Sequence, residues 1–178
     1  MDNELQRNEV REFLTGDARK VAPLLLGSVL THHSADGPVS VRITELEAYM
    51  GPGDSLHPDP GSHTFRGPAV LLRAGEVVDG LPLAAARRPT SRSPKDLASG
   101  PARLATALGL TTADSGRDAL VHPFGLELAT VPAGDVSSGP RVGVAGDGGT
   151  HDYPWRFWLT GDPTVSRYKA AKVRAAWT

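Results

Sequence analysis

Glu45, Glu47 and Tyr49 follow one another at alternate positions of a run that begins apolar, with Val39, Val41 and Ile43. Side chains two apart in a strand share a face. Without a bulge, all six would line one face, with the two carboxylates about 6–7 Å apart. A buried apolar face ordinarily continues apolar. This one ends in two acids and a phenol, which is a set suited to proton transfer, because two carboxylates in different environments can divide acid and base roles. The plainer account of an isolated Glu-x-Glu is that one acid faces solvent or pairs with an arginine such as Arg42. Fourteen residues past Tyr49 comes His63. His57 and His63 with Glu47 and Asp54 match no usual metal-ligand spacing. The chain has no cysteine, so thiolate sites and disulfides are ruled out. A glycosidase pair is the competing chemistry, since its carboxyl groups must stand about 5–9.5 Å apart across one cleft.

The elements that position these residues can be read in part. The periodicity predicts a helix over Glu4–Leu14 and a second from an Asp17 cap to Leu26. Ser28–His32 and Val39–Met50 read as strands joined by the turn Ala35-Asp36-Gly37. Gly51–Gly61 is a Pro/Gly-rich loop. Val70–Arg73 and Ala74–Val78 are strand-like, and Leu83–Asp96 reads as a basic, mobile surface segment. Pro101–Leu108 is helical. Gly125–Val131, Arg141–Ala145 and Trp155–Leu159 read as strands, with a turn at Gly161-Asp162-Pro163. Strands with few helices imply an α+β fold: one mixed domain over residues 1–178, a curved and mostly antiparallel sheet, and flanking helices.

Composition narrows the function classes. The chain has 178 residues, of which 39% are hydrophobic, enough for a packed core and too many for a disordered chain. No apolar run nears the roughly 20 residues of a membrane helix, and the charged start carries no signal-peptide pattern. These features suggest a cytoplasmic protein. Net charge is −1, but it is unevenly placed. Residues 1–65 hold five Lys/Arg against ten Asp/Glu, residues 66–103 seven against three, and residues 151–178 five against two. Basic strips of this kind can bind phosphates even in a balanced chain.

In combination, the motifs are more specific than any one residue. Glu-Ala-Tyr-x-Gly-Pro at 47–52, Ser-His-x-x-Arg-Gly at 62–67 and Val-Leu-Leu-Arg-Ala at 70–74 resemble the alkyladenine (3-methyladenine) DNA glycosylase family. Leu-Leu-Gly at 25–27, the helix region 99–109, Gly-Pro-Arg-Val-Gly-Val at 139–144 and Pro-Trp-Arg-Phe-Trp-Leu at 154–159 follow in the same order. The resemblance covers nearly the whole chain from about residue 20.

The resemblance implies excision of alkylated or deaminated purines flipped out of duplex DNA. It makes Glu47 the general base for a water and Arg73 the residue that helps hold that water and the carboxylate. Tyr49 and His63 would stack on the flipped base, and Leu71 would line the pocket. Lysines near the pocket segment occur only on either side of it, at Lys20 and Lys95, which fits a monofunctional hydrolase without a Schiff base. No cofactor and no metal are implied. The partner is double-stranded DNA bearing a damaged purine, with no membrane, and the protein is expected to act as a monomer, at the nucleoid if bacterial. At one place the chain departs from the family: Gly67 is joined directly to Pro68. The family places its DNA-intercalating hairpin there, with a wedge, a further stacking tyrosine and an asparagine used in base discrimination. A catalytically impaired DNA-binding relative that has lost its base-flipping wedge is therefore the alternative.

Overall fold

The structure is a computed structural model, and it describes residues 2–51, 67–130 and 134–171. Two helices open the chain, α1 (Asp2–Leu14) and α2 (Ala18–Leu24). Asp17 caps α2 as predicted, accepting the Arg19 amide at 2.9 Å. Then come β1 (Val29–Ser34), β2 (Gly37–Tyr49) and β3 (Ala69–Asp79), the helices α3 (Leu81–Arg87) and α4 (Pro101–Leu108), and the short strands β4 (Phe124–Glu127), β5 (Val136–Gly139) and β6 (Arg156–Leu159). Every strand pairing is antiparallel.

The thirteen-residue β2 is the spine. One of its edges pairs with β3 over nearly its whole length. The other edge pairs with β1 in its first half and with β6 at Glu45–Glu47. Beyond β1 lies β4, and beyond β6 lies β5.

Of the three register shifts between β2 and β3, the two around Glu45 set the faces at the acids. Ile43 pairs with Gly75 and Glu45 with Ala74, leaving Thr44 as an extra residue on β2. Leu46 then pairs with Leu72, leaving Arg73 as an extra residue on β3 and restoring the register. A bulge inserts one residue and shifts the alternation. Val39, Val41 and Ile43 therefore share a face with Leu46 and Ala48, and not with Glu45, Glu47 and Tyr49 as the unbulged strand would require. On that apolar face Ile43, Leu46 and Ala48 pack with Val21, Ala22 and Leu25 of the α2 region. Val39 and Val41 pack with Ala84 of α3 and Leu104, Ala107 and Leu108 of α4, and Leu72 touches both groups. The helices thus cover one face of the sheet, and the acids stand on the other.

Two further differences come from packing. Leu83–Asp96 is not a loose surface segment throughout: it contains most of α3, whose Ala84 is buried, and a 3-10 turn at Pro94–Asp96. Arg141–Ala145 is not a strand. It is an irregular crossing segment, and the strand before it is β5. After β6, Asp162 fastens the turn to the sheet, accepting from Thr164 and from Arg42 while Thr164 and Thr44 share a 2.8 Å hydrogen bond. Burial works against ionising Asp162, but the hydrogen bonds from Thr164 and Arg42 outweigh it and hold its carboxyl below the usual range.

Candidate active site

Glu47 lies opposite Leu71 of β3 on one side and Arg156 of β6 on the other. Directly opposed residues project to the same face, so these three form a row across the sheet. Glu45, opposite Trp158, begins the neighbouring row, and Tyr49, opposite Ala69, ends β2. The bulge at Arg73 turns its guanidinium back between the two acids. Its Nε donates to Glu45 Oε1 at 3.1 Å, and its Nη1 stands 3.4 Å from Glu47 Oε1.

Neither carboxylate exposes any surface, yet they are held differently. Glu45 is enclosed by donors: Oε1 accepts from Arg73 and, at 2.6 Å, from Arg156 Nε, while Oε2 accepts the Ser166 amide at 2.7 Å. Burying a charge costs several kcal/mol unless it is paired and hydrogen-bonded, and Glu45 meets that condition in full. Its position is structural, tying β2, β3, β6 and the 166 loop together. Glu47 is as deeply buried but, among the described residues, faces one arginine instead of two. Oε1 accepts the Val142 amide at 2.7 Å, Oε2 accepts the Tyr49 hydroxyl at 2.7 Å, and Arg73 approaches from the side.

Behind Tyr49 stands Arg141, also without exposed surface. Its guanidinium lies 4.6 Å from the centroid of the Tyr49 ring and 4.9 Å from that of Trp155. It donates to the Ala48 carbonyl at 2.8 Å. Burial pushes the Tyr49 phenol well above its usual range, the Glu47 charge and hydrogen bond push it further, and Arg141 and Arg73 oppose. The phenol is therefore a proton donor to Glu47 across the physiological range. Counting buried charges on this face, Glu45 and Glu47 meet Arg73, Arg141 and Arg156, which leaves one positive charge in excess among the described residues.

Glu47, Tyr49, Leu71 and Arg73 thus converge, and His63 lies outside the described residues. The basic segments divide. Arg73 and Arg156 enter the site, whereas Arg103 and Arg87 sit on the helices of the opposite face, near Asp96 and Asp36. Among the described residues no group of three or more His, Asp or Glu could hold a metal ion. Nothing in the sequence assigns a role to Arg156, Arg141, or the amides of Val142 and Ser166. The two arginines lie inside the 139–144 and 154–159 motifs, so a signal existed without a role attached. The amides are backbone groups, which no residue type announces.

The neck beneath the site is narrow. A side chain on Gly51 (φ +80) would meet the backbone of Gly67 at 2.8 Å, so the end of β2 and the approach to β3 touch. The sequence model of the methylpurine-DNA glycosylase family matches residues 12–69 and 66–163, two pieces that meet at this same neck. The chain belongs to that family. Its relatives include a "Putative 3-methyladenine DNA glycosylase" of Leifsonia xyli subsp. xyli, 44% identical over 89% of this chain and 92% of the relative. Proteins of the same name from Streptomyces avermitilis (43% identity, 92% and 93% covered) and Bacillus subtilis (36% identity, 87% and 94% covered) are similar too. Each is aligned over more positions than this chain has residues, 200 in the first case against 178. The relatives therefore carry residues that this chain lacks, and the two pieces of the family match overlap at residues 66–69. Membership makes this a protein of the DNA glycosylases, the hydrolases that begin base excision repair.

Proposed function

We propose that this chain, acting as one domain over residues 1–178, hydrolyses the N-glycosidic bond of alkylated or deaminated purines flipped from duplex DNA. The observation that supports this most is the hold on Glu47: a buried carboxylate fixed by a backbone amide, a tyrosine hydroxyl and an arginine. A carboxylate has about four lone-pair sites, and the three donors among the described residues leave one of them for a water to occupy in the working enzyme. In this reading Glu47 takes a proton from that water as its oxygen bonds to C1′ of the sugar. The C1′–N bond breaks through an oxocarbenium-like state, and its electron pair leaves with the base. For a cationic base such as 3-methyladenine, that pair neutralises the ring, so departure needs no added proton. Arg73 holds the water and the carboxylate, Tyr49 and His63 stack on the base, and Leu71 lines the pocket. Without a lysine in this role the product is an abasic site, as a monofunctional enzyme leaves. The protein acts as a monomer, in the cytoplasm or at a bacterial nucleoid, and needs no cofactor.

The divided family match favours a second reading, a DNA-binding relative impaired in base flipping. One assay separates the two. Duplexes carrying 3-methyladenine, hypoxanthine or ethenoadenine are incubated with the wild type and with Glu47→Gln, and abasic sites are counted after strand cleavage. Release by the wild type and not by Glu47→Gln is expected. DNA binding without release by either protein would transfer the assignment to the second reading.

A further inference from the structure

We propose that Arg141 is a positioning residue that fixes the ring of Tyr49 for base stacking, an inference that rests on the reading of Tyr49 just given. Arg141 is the largest fully buried side chain of the described molecule. A guanidinium at such depth is costly unless its surroundings require it. Its surroundings form an ordered stack: Tyr49 at 4.6 Å, then the Arg141 guanidinium, then Trp155 at 4.9 Å, with Arg19 of α2 over the Trp155 ring at 5.5 Å. Tyr153 meets the edge of Trp155 at 5.1 Å. Cations and rings alternate from the start of α2 to the end of β2, each cation drawn to the ring faces beside it.

The backbone around Arg141 is tied to both Tyr49 and Glu47. Arg141 donates to the carbonyls of Ala48 and Gly148, at 2.8 and 3.4 Å, so the residue beside Tyr49 is tied to the crossing segment. The next amide, that of Val142, is the one held by Glu47. One pair of residues therefore grips the stacking ring from behind and the carboxylate from the side. The Tyr49 hydroxyl, bound to Glu47, closes the frame. A planar guanidinium can back a ring and keep its in-plane donors on carbonyls at once. A lysine ammonium has no such plane.

Arg141 is therefore a positioning residue and not a catalytic one, since it acts through Tyr49. Single-turnover excision of ethenoadenine from duplex is measured for the wild type, Arg141→Met, Arg141→Lys, Tyr49→Ala and the Tyr49→Ala/Arg141→Met pair. Ring resonances of carbon-13-labelled tyrosine are recorded for the same proteins, with the Tyr49 signal identified by its loss in Tyr49→Phe. Misplacement of a positioned group by about 1 Å can cost about 10²-fold. A loss of that order is expected for Arg141→Met, with partial rescue by Arg141→Lys and a shifted Tyr49 signal. The double variant should be no slower than Tyr49→Ala, because residues acting as a unit are not additive. Losses that multiply, or an unmoved Tyr49 signal in Arg141→Met, would overturn the proposal. If the wild type releases no base, the reading of the function fails, and the ring signals still decide Arg141. If Arg141→Met does not fold, Arg141→Lys, which keeps the charge and the stem, carries both measurements.

Discussion

Tyr49 shows how one residue serves two ends. Its ring backs onto Arg141 and its hydroxyl donates to Glu47. Burial and the neighbouring carboxylate raise the folded phenol above its ordinary value of about 10. The sign follows: folding favours the protonated phenol, so its contribution is complete below about pH 10 and is lost as pH rises through the higher folded value. In an alkaline absorbance titration up to about pH 10, wild type and Tyr49→Phe should gain the same phenolate signal. A smaller gain in Tyr49→Phe would show that Tyr49 ionises normally. Glu45 tests the other carboxylate. Arg156→Met removes a 2.6 Å partner from a fully buried acid. Breaking a buried pair costs about 3–5 kcal/mol, and in a chain of this size each kcal/mol lowers Tm by about 2–4 °C. A fall in Tm of about 6 °C or more is therefore expected by calorimetry. An unchanged Tm would mean that Glu45 is satisfied by Arg73 and Ser166 alone.

At the scale of elements, the site depends on how β2 and β3 fall out of register and return. Thr44 and Arg73 are the extra residues on either side of the Glu45–Ala74 pair, and the strands approach closely at the neighbouring Ile43–Gly75 pair. Gly75 sits at that approach, where an added Cβ would lie 2.2 Å from a Val41 methyl and 2.6 Å from the Arg42 carbonyl oxygen. The second contact is backbone, so it cannot be relieved by a rotamer change. Gly75→Ala should therefore lower stability by about 1–3 kcal/mol, as overpacking does. It should also lower excision further than stability alone explains, because Arg73 is two residues away on the same bulged strand. Urea unfolding and excision at saturating enzyme measure the two effects separately. Full activity in a destabilised variant would show that the bulge tolerates a shift.

Across the whole molecule the sheet separates two tasks. Helices α2, α3 and α4 cover the apolar face, and the other face holds Glu45, Glu47, Tyr49, Arg73 and Arg156. The family match falls into two pieces that overlap at residues 66–69, and the relatives carry residues that this chain lacks. Extruding a paired base costs a few kcal/mol, and less when the base is mismatched, while each 1.36 kcal/mol is tenfold in rate. The expected outcome is that a lesion opposite a mismatch, or in a single strand, is excised about tenfold or more faster than the same lesion in a matched duplex. Equal rates would show that this chain flips a paired base without the absent segment.

The order of the motifs by itself determined the family, and the strand positions of Glu45, Glu47 and Tyr49 were legible from apolar alternation and turn residues. The Asp17 cap and the helix Pro101–Leu108 were legible for the same local reason: caps, turns and periodicity act within a few residues of chain. What only the tertiary structure decided was how each acid is held. Period-two reading placed Glu45 and Glu47 on one face with Val39, Val41 and Ile43, and the bulge at Thr44 separates them. A bulge is a property of two paired strands, so neither strand's sequence announces it. Likewise Glu45 is taken up by Arg156, 111 residues on, and Glu47 receives an amide 95 residues on. Such partners are chosen by the path of the folded chain. The two glutamates look alike in the sequence and become different groups only when the fold gives each a backbone amide and Arg73, and then adds a second arginine to Glu45 and a tyrosine hydroxyl to Glu47.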